Sequence, residues 1–255
     1  MKQLKIKSIS KIEHSSKRYD ISVADNNNLF ANDILIHNCQ NMPQVLEQFK
    51  DAEVYITEKI DGQSVTFTGK MVSSSTPIIG RFLSKKFKFV VCSRNFTVTD
   101  PNSVYWRMAK KYHMEQILKE NPTLTIQGEQ VGPGIQGNKY NMSEVHVLVF
   151  TIKDHEKNYY YDAKQLLEFC TKYTLDTVPF VQNNFDYTFG GPEPTRKLSD
   201  LGSTVQELVE FSRQKSTSVW SNIPREGIVI RCIRDGKKIL SFKVLNPDFL
   251  LKYKQ

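Results

Sequence analysis

The segment Val54-Tyr55-Ile56-Thr57-Glu58-Lys59-Ile60-Asp61-Gly62 carries the strongest structural signal in the chain. Its β-branched and aromatic start is typical of a strand. The strand would end by presenting Lys59 and Asp61, and Gly62 would allow another part of the backbone to approach closely. A Lys-x-Asp-Gly sequence also arises by chance, with the lysine at the surface and paired with the aspartate. The segment therefore predicts a strand that leads into a candidate site, whose chemistry depends on other residues.

Charged residues recur at the ends of other predicted strands. The strands and their residues are Phe87–Cys92 with Arg94, Leu124–Gln127 with Glu129, Ile228–Arg231 with Glu226, and Ile239–Lys243 with Lys243. Each of these residues alone is more often structural than functional. Together with Lys59 they make five charged groups beside glycine or small polar residues, and this recurrence favours a shared site.

Helical segments separate these strands. Apolar residues at helical spacing predict helices at Pro43–Asp51, Asn102–Leu118, Ala163–Tyr173 and Leu201–Gln214. A buried strand is predicted at Val145–Ile152, and a glycine-rich loop at Val131–Lys139. The chain length of 255 residues suits one large domain, or one domain with a small appendage.

The basic members of this set suit chemistry at a phosphorus centre. A lysine such as Lys59 becomes a nucleophile once its ammonium loses a proton. Attack on an α-phosphate develops negative charge on the phosphate oxygens, which Arg94, Lys243 and a divalent metal would neutralise. These residues predict nucleotidyl transfer through a lysine–nucleotide phosphoramidate.

The acidic and aromatic members suit a metal and a nucleobase. Asp61, Glu129 and Glu226 are carboxylates that would hold Mg²⁺ through water, since this ion keeps much of its hydration shell. Phe150 offers a flat face for stacking on a purine. The predicted ligand is therefore a nucleotide with a divalent cation.

Six motifs in chain order resemble those of the covalent nucleotidyltransferases, which are the DNA ligases, RNA ligases and mRNA capping enzymes. They are Lys59-Ile60-Asp61-Gly62, Ser93-Arg94-Asn95, Gln127-Gly128-Glu129, the Phe150 strand, Glu226-Gly227-Ile228-Val229 and Phe242-Lys243. Three longer segments resemble one group in particular, the ATP-dependent RNA ligases with an OB module upstream of the nucleotidyltransferase domain. They are Cys92-Ser93-Arg94-Asn95, Gly132-Pro133-Gly134-Ile135-Gln136-Gly137-Asn138-Lys139-Tyr140 and Ser241-Phe242-Lys243. The resemblance covers residues 40–255; many members have Lys-x-Lys in the last motif, so only Lys243 is carried over.

The resemblance implies an α+β, ATP-grasp-like nucleotidyltransferase fold over residues 39–255, with two antiparallel sheets and flanking helices around an ATP cleft. It implies ATP and Mg²⁺ or Mn²⁺ as cofactors. Lys59 would take AMP from ATP and pass it to a 5′-phosphate end, which a 3′-OH would then attack to seal the strand. The implied partner is RNA, or a nicked RNA-containing duplex, with 5′-phosphate and 3′-OH ends.

The resemblance also assigns roles to individual residues. Catalysis would fall to Lys59, Glu129, Glu226 and Lys243; nucleotide binding to Glu58, Lys59, Asp61, Gly62, Arg94, Glu129, Phe150 and Lys243; and metal binding to Asp61, Glu129 and Glu226.

Residues 1–38 form a small separate part with β-structure. Period-two alternation predicts a strand at Tyr19–Val23, Asp25–Asn28 predicts a turn, and Leu29–Ile36 is a second apolar segment. The part ends at His37-Asn38-Cys39. An asparagine amide can attack its own backbone carbonyl and cut the chain. The histidine would polarise that carbonyl or protonate the leaving amine, and the cysteine would become a nucleophile at the new N-terminus.

This pattern resembles the C-terminal fragment of a split intein, although a short β-hairpin with an incidental Asn-Cys pair is the simpler interpretation. The resemblance implies that residues 1–38 are excised through His37, Asn38 and Cys39. Twelve residues follow Lys243, too few for a downstream OB domain. We therefore expect an upstream polypeptide, carrying the OB module and the other intein half, to be joined to Cys39 by trans-splicing.

Composition limits the remaining classes. With 39% hydrophobic residues the chain can bury a core, so intrinsic disorder of the whole chain is excluded. Its apolar runs are too short for a membrane span, and no signal peptide is recognisable. The four cysteines have no metal-ligand spacing, which predicts free thiols in a reducing cytoplasm.

The net charge of +8 weakly favours a polyanionic partner. Candidates for that contact are Lys85, Lys86, Lys88, Lys110 and Lys111, with Tyr105 and Trp106 nearby, and each lysine is equally well explained as a solvated side chain.

Two alternatives stay open. A DNA ligase or a capping-type enzyme shares the motifs and differs in the strand that it joins. A nucleic-acid-binding remnant without activity is disfavoured, because binding needs general positive charge rather than carboxylates near phosphate.

Overall fold

The structure is a computed structural model that describes residues 28–31, 34–37, 42–73, 85–181, 195–213 and 223–253. For residues 28–31, 34–37, 73 and 85 the structure describes the backbone and not the side chains. The chain divides into two compact units, Met1–Val45 and Leu46–Gln255.

The described part of the first unit contains a β-hairpin. Strand β1, Asn28–Ala31, pairs antiparallel with β2, Ile34–His37. The predicted apolar segment Leu29–Ile36 therefore contains a chain reversal. The predicted strand Tyr19–Val23 and the residues Asn38 and Cys39 lie outside the described residues.

The second unit is built from strands and short helices. Its strands are β3 Glu53–Glu58, β4 Gln63–Ser73, β5 Lys85–Cys92, β6 Leu124–Val131, β7 His146–Asp154, β8 Tyr159–Tyr160, β9 Arg196–Lys197, β10 Gly227–Arg234 and β11 Lys237–Leu245. The helices of the described chain are α1 Met42–Gln48, α2 Val104–Lys111, α3 Met114–Glu120, α4 Ala163–Lys172, α5 Val205–Ser212 and α6 Pro247–Tyr253.

In the described residues, the strands of this unit form two antiparallel sheets. The four-stranded sheet has the order β11-β10-β3-β9, and the five-stranded sheet has the order β5-β4-β6-β7-β8. The predicted α+β class with two antiparallel sheets and flanking helices is confirmed. The order also places β3, which precedes Lys59, beside β10, which follows Glu226: Glu58 lies opposite Ile228.

The main core lies on one face of the five-stranded sheet. Val65, Phe67 and Ile126 are fully buried there against side chains of α2, α3 and α4, among them Leu118 and Leu166. Strand period two sends the neighbouring side chains of β4 and β6 to the opposite face. The sheet thus has one apolar face covered by helices, and a second face that is available for a site.

Replacement of Phe67 by alanine is expected to lower the free energy of unfolding by about 3–5 kcal/mol, because a buried aromatic ring leaves a cavity. Phe67 is 0% exposed and Phe96 is 75% exposed, so Phe96→Ala is the matched control, with an expected change below about 0.5 kcal/mol. Urea denaturation of both variants measures the difference. Equal losses would contradict this description of the core.

The predicted single helix Asn102–Leu118 is wrong, since the chain forms α2 and α3 with a break at Tyr112 and His113. His113 takes a left-handed conformation with φ of 51°. Both Met108 and Met114 are buried in the core. In one straight helix, six residues at 100° each would place them about 120° apart around the axis. The break therefore lets both methionines face the same sheet.

The other predicted helices differ at their ends. In α4, the Asp162 side chain accepts a hydrogen bond from the backbone N–H of Gln165, and the Gln165 side chain accepts one from the backbone N–H of Asp162. This capping box is common at the first turn of a helix. Helix α5 begins at Val205 rather than Leu201, because Thr204 forms the same capping arrangement with Glu207. Helix α1 ends at Gln48, three residues before the predicted Asp51.

Strand β6 is longer than the predicted Leu124–Gln127, so Glu129 lies within it instead of after it. The pairing with β7 passes from Gln127–Thr151 to Gly128–Val149, which leaves Phe150 without a partner in β6. A β-bulge of this kind re-aims a side chain. Lys243 likewise lies inside β11 instead of at its end.

No helix in the described part of the chain has both the length and the apolar character that crossing a membrane requires. The three cysteines that are described, Cys92, Cys170 and Cys232, are free thiols.

Candidate active site

A cleft of about 510 Å³ is lined by residues from both sheets of the second unit. The four-stranded sheet contributes Thr57, Val229 and Lys243, and the five-stranded sheet contributes Glu129 and Phe150. Strand pairing brings these residues together from distant parts of the sequence. The cleft opens on the sheet face that the helices leave uncovered.

Lys59 is fixed at the edge of this cleft. Its backbone N–H donates to the carbonyl of Gly227 at 2.9 Å, which continues the pairing of β3 with β10. Its ammonium forms an ion pair with Glu226, whose side chain is 2% exposed while that of Lys59 is 22% exposed. The lysine is therefore held by backbone and side chain at once, with its ammonium group accessible from the cleft.

Two more cations face the same space. Lys243 lies opposite Val229 in the pairing of β10 with β11. Loss of solvent lowers the pKa of Lys243, and the positive charges of Lys59 and Arg94 lower it further. Arg94 follows β5 in a tight turn, in which the backbone N–H of Ser93 donates to the carbonyl of Phe96 at 2.8 Å. Three positive groups thus repel one another, and an anion between them would relieve that repulsion.

Carboxylates lie on the other side of Lys59. Burial raises the pKa of Glu129 to about 7; Lys59 and the backbone N–H of Gly62 oppose the rise, while Glu226 and Asp61 add to it. The acidic groups therefore repel one another as the basic ones do. A bound cation would stabilise their charged forms.

The raised pKa predicts a pH-dependent stability. The ordinary pKa of Glu129 is 4.5 and its folded value is about 7, so its contribution to stability is full below pH 4.5 and is lost as pH rises through 7. Relative to Glu129→Gln, wild-type protein should lose roughly 3 kcal/mol of unfolding free energy between pH 4 and 8. Urea denaturation of both proteins without added metal tests this. Parallel pH profiles would contradict it.

Gly62 is required by a close approach of two backbones. A Cβ atom at this position would lie 2.2 Å from the carbonyl oxygen of Gln130. The turn after Lys59 can therefore lie against β6 only when residue 62 has no side chain. The prediction that Gly62 opens a close approach is confirmed, and the neighbour is β6.

The glycine-rich loop after β6 holds this turn in place. Lys139 forms an ion pair with Asp61, and the backbone N–H of Asp61 donates to the Tyr140 hydroxyl at 2.8 Å. The ammonium of Lys139 also lies 6.0 Å from the ring centre of Phe249 and 5.9 Å from that of Tyr253 in α6. Lys139 therefore links the last described helix to the turn.

Phe150 forms the wall of the cleft opposite β10. The guanidinium of Arg231 lies 5.7 Å from its ring centre and donates to the Thr57 hydroxyl at 2.9 Å. Arg231 is 8% exposed and, within the described residues, forms no ion pair with a carboxylate. Burial lowers the pKa of Arg231. Its remaining N–H groups are available to a ligand that stacks on Phe150.

Glu58 lies in the cleft wall and is 1% exposed. Its charge acts on Arg225, another fully buried residue: burial lowers the pKa of Arg225, and the Glu58 carboxylate opposes that effect. The two residues belong to β3 and to the segment before β10. They are charged groups beneath the site that carries Lys59.

The carboxylates of the site fit a hydrated cation better than a directly ligated one. Among the described residues, no group of three or more His, Cys, Asp or Glu is arranged to hold a metal ion directly. Even so, the mutual repulsion of Glu129, Glu226 and Asp61 fits a hydrated cation, as expected for Mg²⁺.

Most of the predicted site residues meet in one place. The cleft is lined by Glu58, Lys59, Gly62, Arg94, Glu129, Phe150 and Lys243. Glu226 does not line the cleft itself but forms an ion pair with Lys59, which does, and Asp61 is close enough to raise the pKa of Glu129. His37 belongs to β2 in the first unit, and Asn38 and Cys39 lie outside the described residues.

Sequence reasoning missed four residues of the site. Arg231 was detectable as a charge inside an otherwise apolar strand. Lys139 and Tyr140 belong to the glycine-rich segment, for whose residues the sequence predicts no function. Thr57 gave no signal of its own, since a threonine in a strand is ordinary.

The family model for RNA ligase matches residues 52–254 of the 255-residue chain. Comparison with curated proteins gives no match. With a match of this extent, the chain belongs to the RNA ligase family.

Solved structures of a Naegleria gruberi RNA ligase are similar to this chain. A mutant of it with ATP and Mn matches with a TM-score of 0.64 and 23% identity, over 84% of this chain and 55% of the other. The same ligase with pyrophosphate matches with a TM-score of 0.65 and 23% identity, over 84% of this chain and 56% of the other. A mutant with AMP and Mn matches with a TM-score of 0.65 and 22% identity, over the same shares of the two chains. The likeness shows a shared fold, and this chain spans little more than half the length of those chains.

Proposed function

We propose that the chain is the catalytic part of an ATP-dependent RNA ligase. The observation that carries the proposal is the contact of Lys59 with Glu226 in a cleft that also holds Arg94 and Lys243. The cleft thus brings together a nucleophile, a carboxylate that orients it, and two cations that would bind phosphate oxygens. Membership of the RNA ligase family, and the ATP, AMP and pyrophosphate in the similar Naegleria structures, support the same reaction.

In the first step the neutral Lys59 amine, having given its ammonium proton to solvent, attacks the α-phosphate of ATP. A phosphorus–nitrogen bond forms, the bond from the α-phosphorus to the oxygen that bridges to the β-phosphate breaks, pyrophosphate leaves, and the nitrogen loses its second proton to solvent. Lys243 and Arg94 neutralise the charge that develops on the phosphate oxygens. Glu226 orients the amine, and its loss is expected to slow this step more than it weakens ATP binding.

In the second step a 5′-phosphate oxygen of the substrate attacks the same phosphorus atom and releases Lys59. In the third step a 3′-OH attacks the activated 5′-phosphate, the new phosphodiester forms, and AMP leaves. Both steps use the same phosphate-facing cations as the first. Each step exchanges one bond at phosphorus for another, and no oxidant or reductant is needed.

The residues that would hold Mg²⁺ or Mn²⁺ are Asp61, Glu129 and Glu226, through its water shell. The cation would supply charge stabilisation at the phosphate oxygens. Lys139 and Tyr140 would keep Asp61 in position, because the ion pair with Lys139 holds its carboxylate and the hydrogen bond to Tyr140 holds its backbone N–H.

The nucleobase would lie between Phe150 and the Arg231 side of the cleft. Stacking on Phe150 fits any purine, so a base-selective contact must come from hydrogen bonds. The N–H groups of Arg231 would donate to ring nitrogens of the base, while Thr57 holds the guanidinium in place.

The reaction is tested by mass. After incubation with ATP and Mg²⁺, the full chain should gain the mass of one AMP, and peptide mapping should place the adduct on Lys59. Added RNA with 5′-phosphate and 3′-OH ends should discharge the adduct and yield a joined strand. An adduct that only DNA ends discharge would favour a DNA ligase, and binding of RNA without any adduct would favour the inactive remnant.

We further propose that residues 1–38 are a split-intein fragment and that residues 39–255 are the ligase domain joined at Cys39 to an upstream half with an OB module. The family match begins at residue 52, so the proposed fragment lies wholly outside it. The described hairpin of β1 and β2 ends at His37, directly before the proposed cleavage residue Asn38. In the proposed reaction the carbonyl carbon of the upstream half forms a thioester with the Cys39 thiol, its bond to the other intein half breaks, and that half leaves with the thiol proton. Asn38 then closes to a succinimide and breaks its peptide bond, and the acyl group shifts to the freed Cys39 amine.

The splicing proposal is tested on protein from the native source. Antibodies against residues 223–253 would recover the ligase for peptide mapping. We expect a peptide in which Cys39 follows a residue other than Asn38, joined to sequence from another polypeptide. Recovery of only contiguous His37-Asn38-Cys39 would contradict trans-splicing and leave the ligase proposal intact.

A further inference from the structure

The longest stretch of the sequence without acidic residues lies on β4, β5 and the turn that follows β5. Between Lys70 and Thr99 there is no Asp or Glu, while six basic residues occur there. In the described part of this stretch, the side chains of Lys70, Lys86 and Lys88 are exposed. None of these three lysines forms an ion pair with any of the residues that the structure describes. The stretch therefore has an unbalanced positive charge.

These lysines share the sheet face of the cleft. In β4, Phe67 points into the core, so Thr66, Thr68 and Lys70 point to the opposite face. Lys70 lies directly opposite Lys88, and Val72 lies opposite Lys86, so both β5 lysines are on that face too. Ser64 and Glu129, paired at the start of β4, are on the same face and line the cleft.

Between the cleft and the lysines, β4 and β6 present polar side chains on this face. The hydroxyls of Thr68 and Thr125 are 2.8 Å apart, and the Gln127 amide donates to the Thr66 hydroxyl at 3.4 Å. These four residues are half-buried, and they lie between the cleft and the lysines. A polar path therefore connects Glu129 in the cleft to Lys70 at the far end of β4.

The distance along this path suits several nucleotides. Lys70 lies six positions after Ser64 in β4, which at 3.3 Å each is about 20 Å. At the 3.4 Å per nucleotide of a B-form strand, about six nucleotides would cover this distance. At the mouth of the cleft, Phe96 is 75% exposed and offers a face on which an unpaired base would stack.

The lysine pair is costly without a partner. Like charges directly opposite each other across two antiparallel strands destabilise the sheet. A row of phosphates would reverse the sign of that interaction, because each lysine would then face a negative group. The pairing of Lys70 with Lys88 thus has a physical explanation in a bound polyanion.

We propose that Lys70, Lys86 and Lys88, called here the β4–β5 lysine face, bind the phosphates of the RNA strand whose end lies in the cleft. The proposal rests on the proposed ligase function for the identity of the strand. The contacts are to phosphate, so they position the strand and do not read its sequence. Two of the lysines named from sequence, Lys110 and Lys111, belong instead to α2 on the helical face, where Lys111 pairs with Glu144.

The test compares two variants of the full chain with equal charge loss. One carries Lys70→Gln, Lys86→Gln and Lys88→Gln. The control carries Lys119→Gln, Lys164→Gln and Lys172→Gln, three exposed lysines on α3 and α4, which cover the opposite sheet face. Fluorescence anisotropy with a labelled, 5′-phosphorylated RNA of about 12 nucleotides gives the binding constant over a range of KCl concentrations.

The slope of log K against log [KCl] is negative, and in the first variant its magnitude is expected to decrease by about 2. Each of the three lost phosphate contacts to a single strand contributes about 0.7 to that magnitude. The control should keep the wild-type slope, and a variant with arginine at all three positions should keep it as well. A wild-type slope in the first variant, or an equal fall in the control, would overturn the proposal. The AMP adduct on Lys59, measured in the same preparations without RNA, reports separately on the proposed ligase function.

Discussion

Lys59→Ala is expected to form no covalent adduct with AMP, whereas the wild-type chain should gain one AMP per molecule. The amine is the proposed nucleophile, and it lies in the cleft in an ion pair with Glu226. Loss of a nucleophile should slow adduct formation by at least about 10⁴-fold. Intact-mass measurement after incubation with ATP and Mg²⁺ gives the result directly.

Two further variants separate chemistry from folding. Lys59→Ala removes the charge that faces a carboxylate which is 2% exposed, so some loss of stability is expected. Lys59→Arg keeps a positive charge beside Glu226 and should also form no adduct. Lys119→Ala, on the exposed surface of α3, should form the adduct at the wild-type rate. An AMP adduct on the folded Lys59→Arg protein would exclude Lys59 as the nucleophile.

Glu226→Gln is expected to slow formation of the Lys59 adduct by about 10²–10³-fold, the usual effect of removing one preorganised electrostatic contact. The glutamine has the same shape and no charge, so it leaves the ammonium of Lys59 without its carboxylate. Single-turnover rates at saturating ATP measure the effect. The dissociation constant for ATP should change far less, because the contact orients the nucleophile.

Glu120→Gln is the matched control for Glu226→Gln, since Glu120 is an exposed residue of α3. It should react at the wild-type rate. If Glu226→Gln reacted normally while its thermal stability was unchanged, the ion pair would have no part in the reaction. If it reacted normally only at high pH, the carboxylate would act on the proton of Lys59 and not on its position.

Much of the site followed from sequence because its residues stand beside strands. The β-branched run before Lys59 and the apolar strand after Glu226 are both recognisable by composition, and the structure pairs them as β3 and β10. Once two strands pair, the residues at their ends must meet. The same reasoning applies to Phe150, whose strand was predicted within two residues of its observed bounds.

Features that depend on packing were not predictable in this way. The break at His113 follows from the need of α2 and α3 to cover one sheet, which no local pattern expresses. The bulge at Phe150 exists only relative to β6. Strand β4 was missed although Val65, Phe67 and Gly69 alternate with polar residues, a period-two signal that was present in the sequence.

The C-terminal helix illustrates a contact that sequence could not supply. The aromatic rings of Phe249 and Tyr253 lie beside the ammonium of Lys139, which pairs with Asp61. Each partner alone is unremarkable, because a lysine in a loop and aromatic residues on the buried side of a helix are both common. Their significance comes from the position of Asp61 two residues after Lys59.

The pairing of β3 with β10 also sets the order of events during synthesis. Glu58 lies opposite Ile228, so about 170 residues must be made after the first strand before its partner exists. At 5–20 residues per second the ribosome needs roughly 10–30 s for that interval. Throughout it, β3 lacks the neighbour that positions Lys59, while β4, β5 and β6 can already pair with one another. The cleft is therefore completed late, and a nascent or prematurely terminated chain without β10 lacks the contact between Lys59 and Glu226 on which the proposed reaction depends.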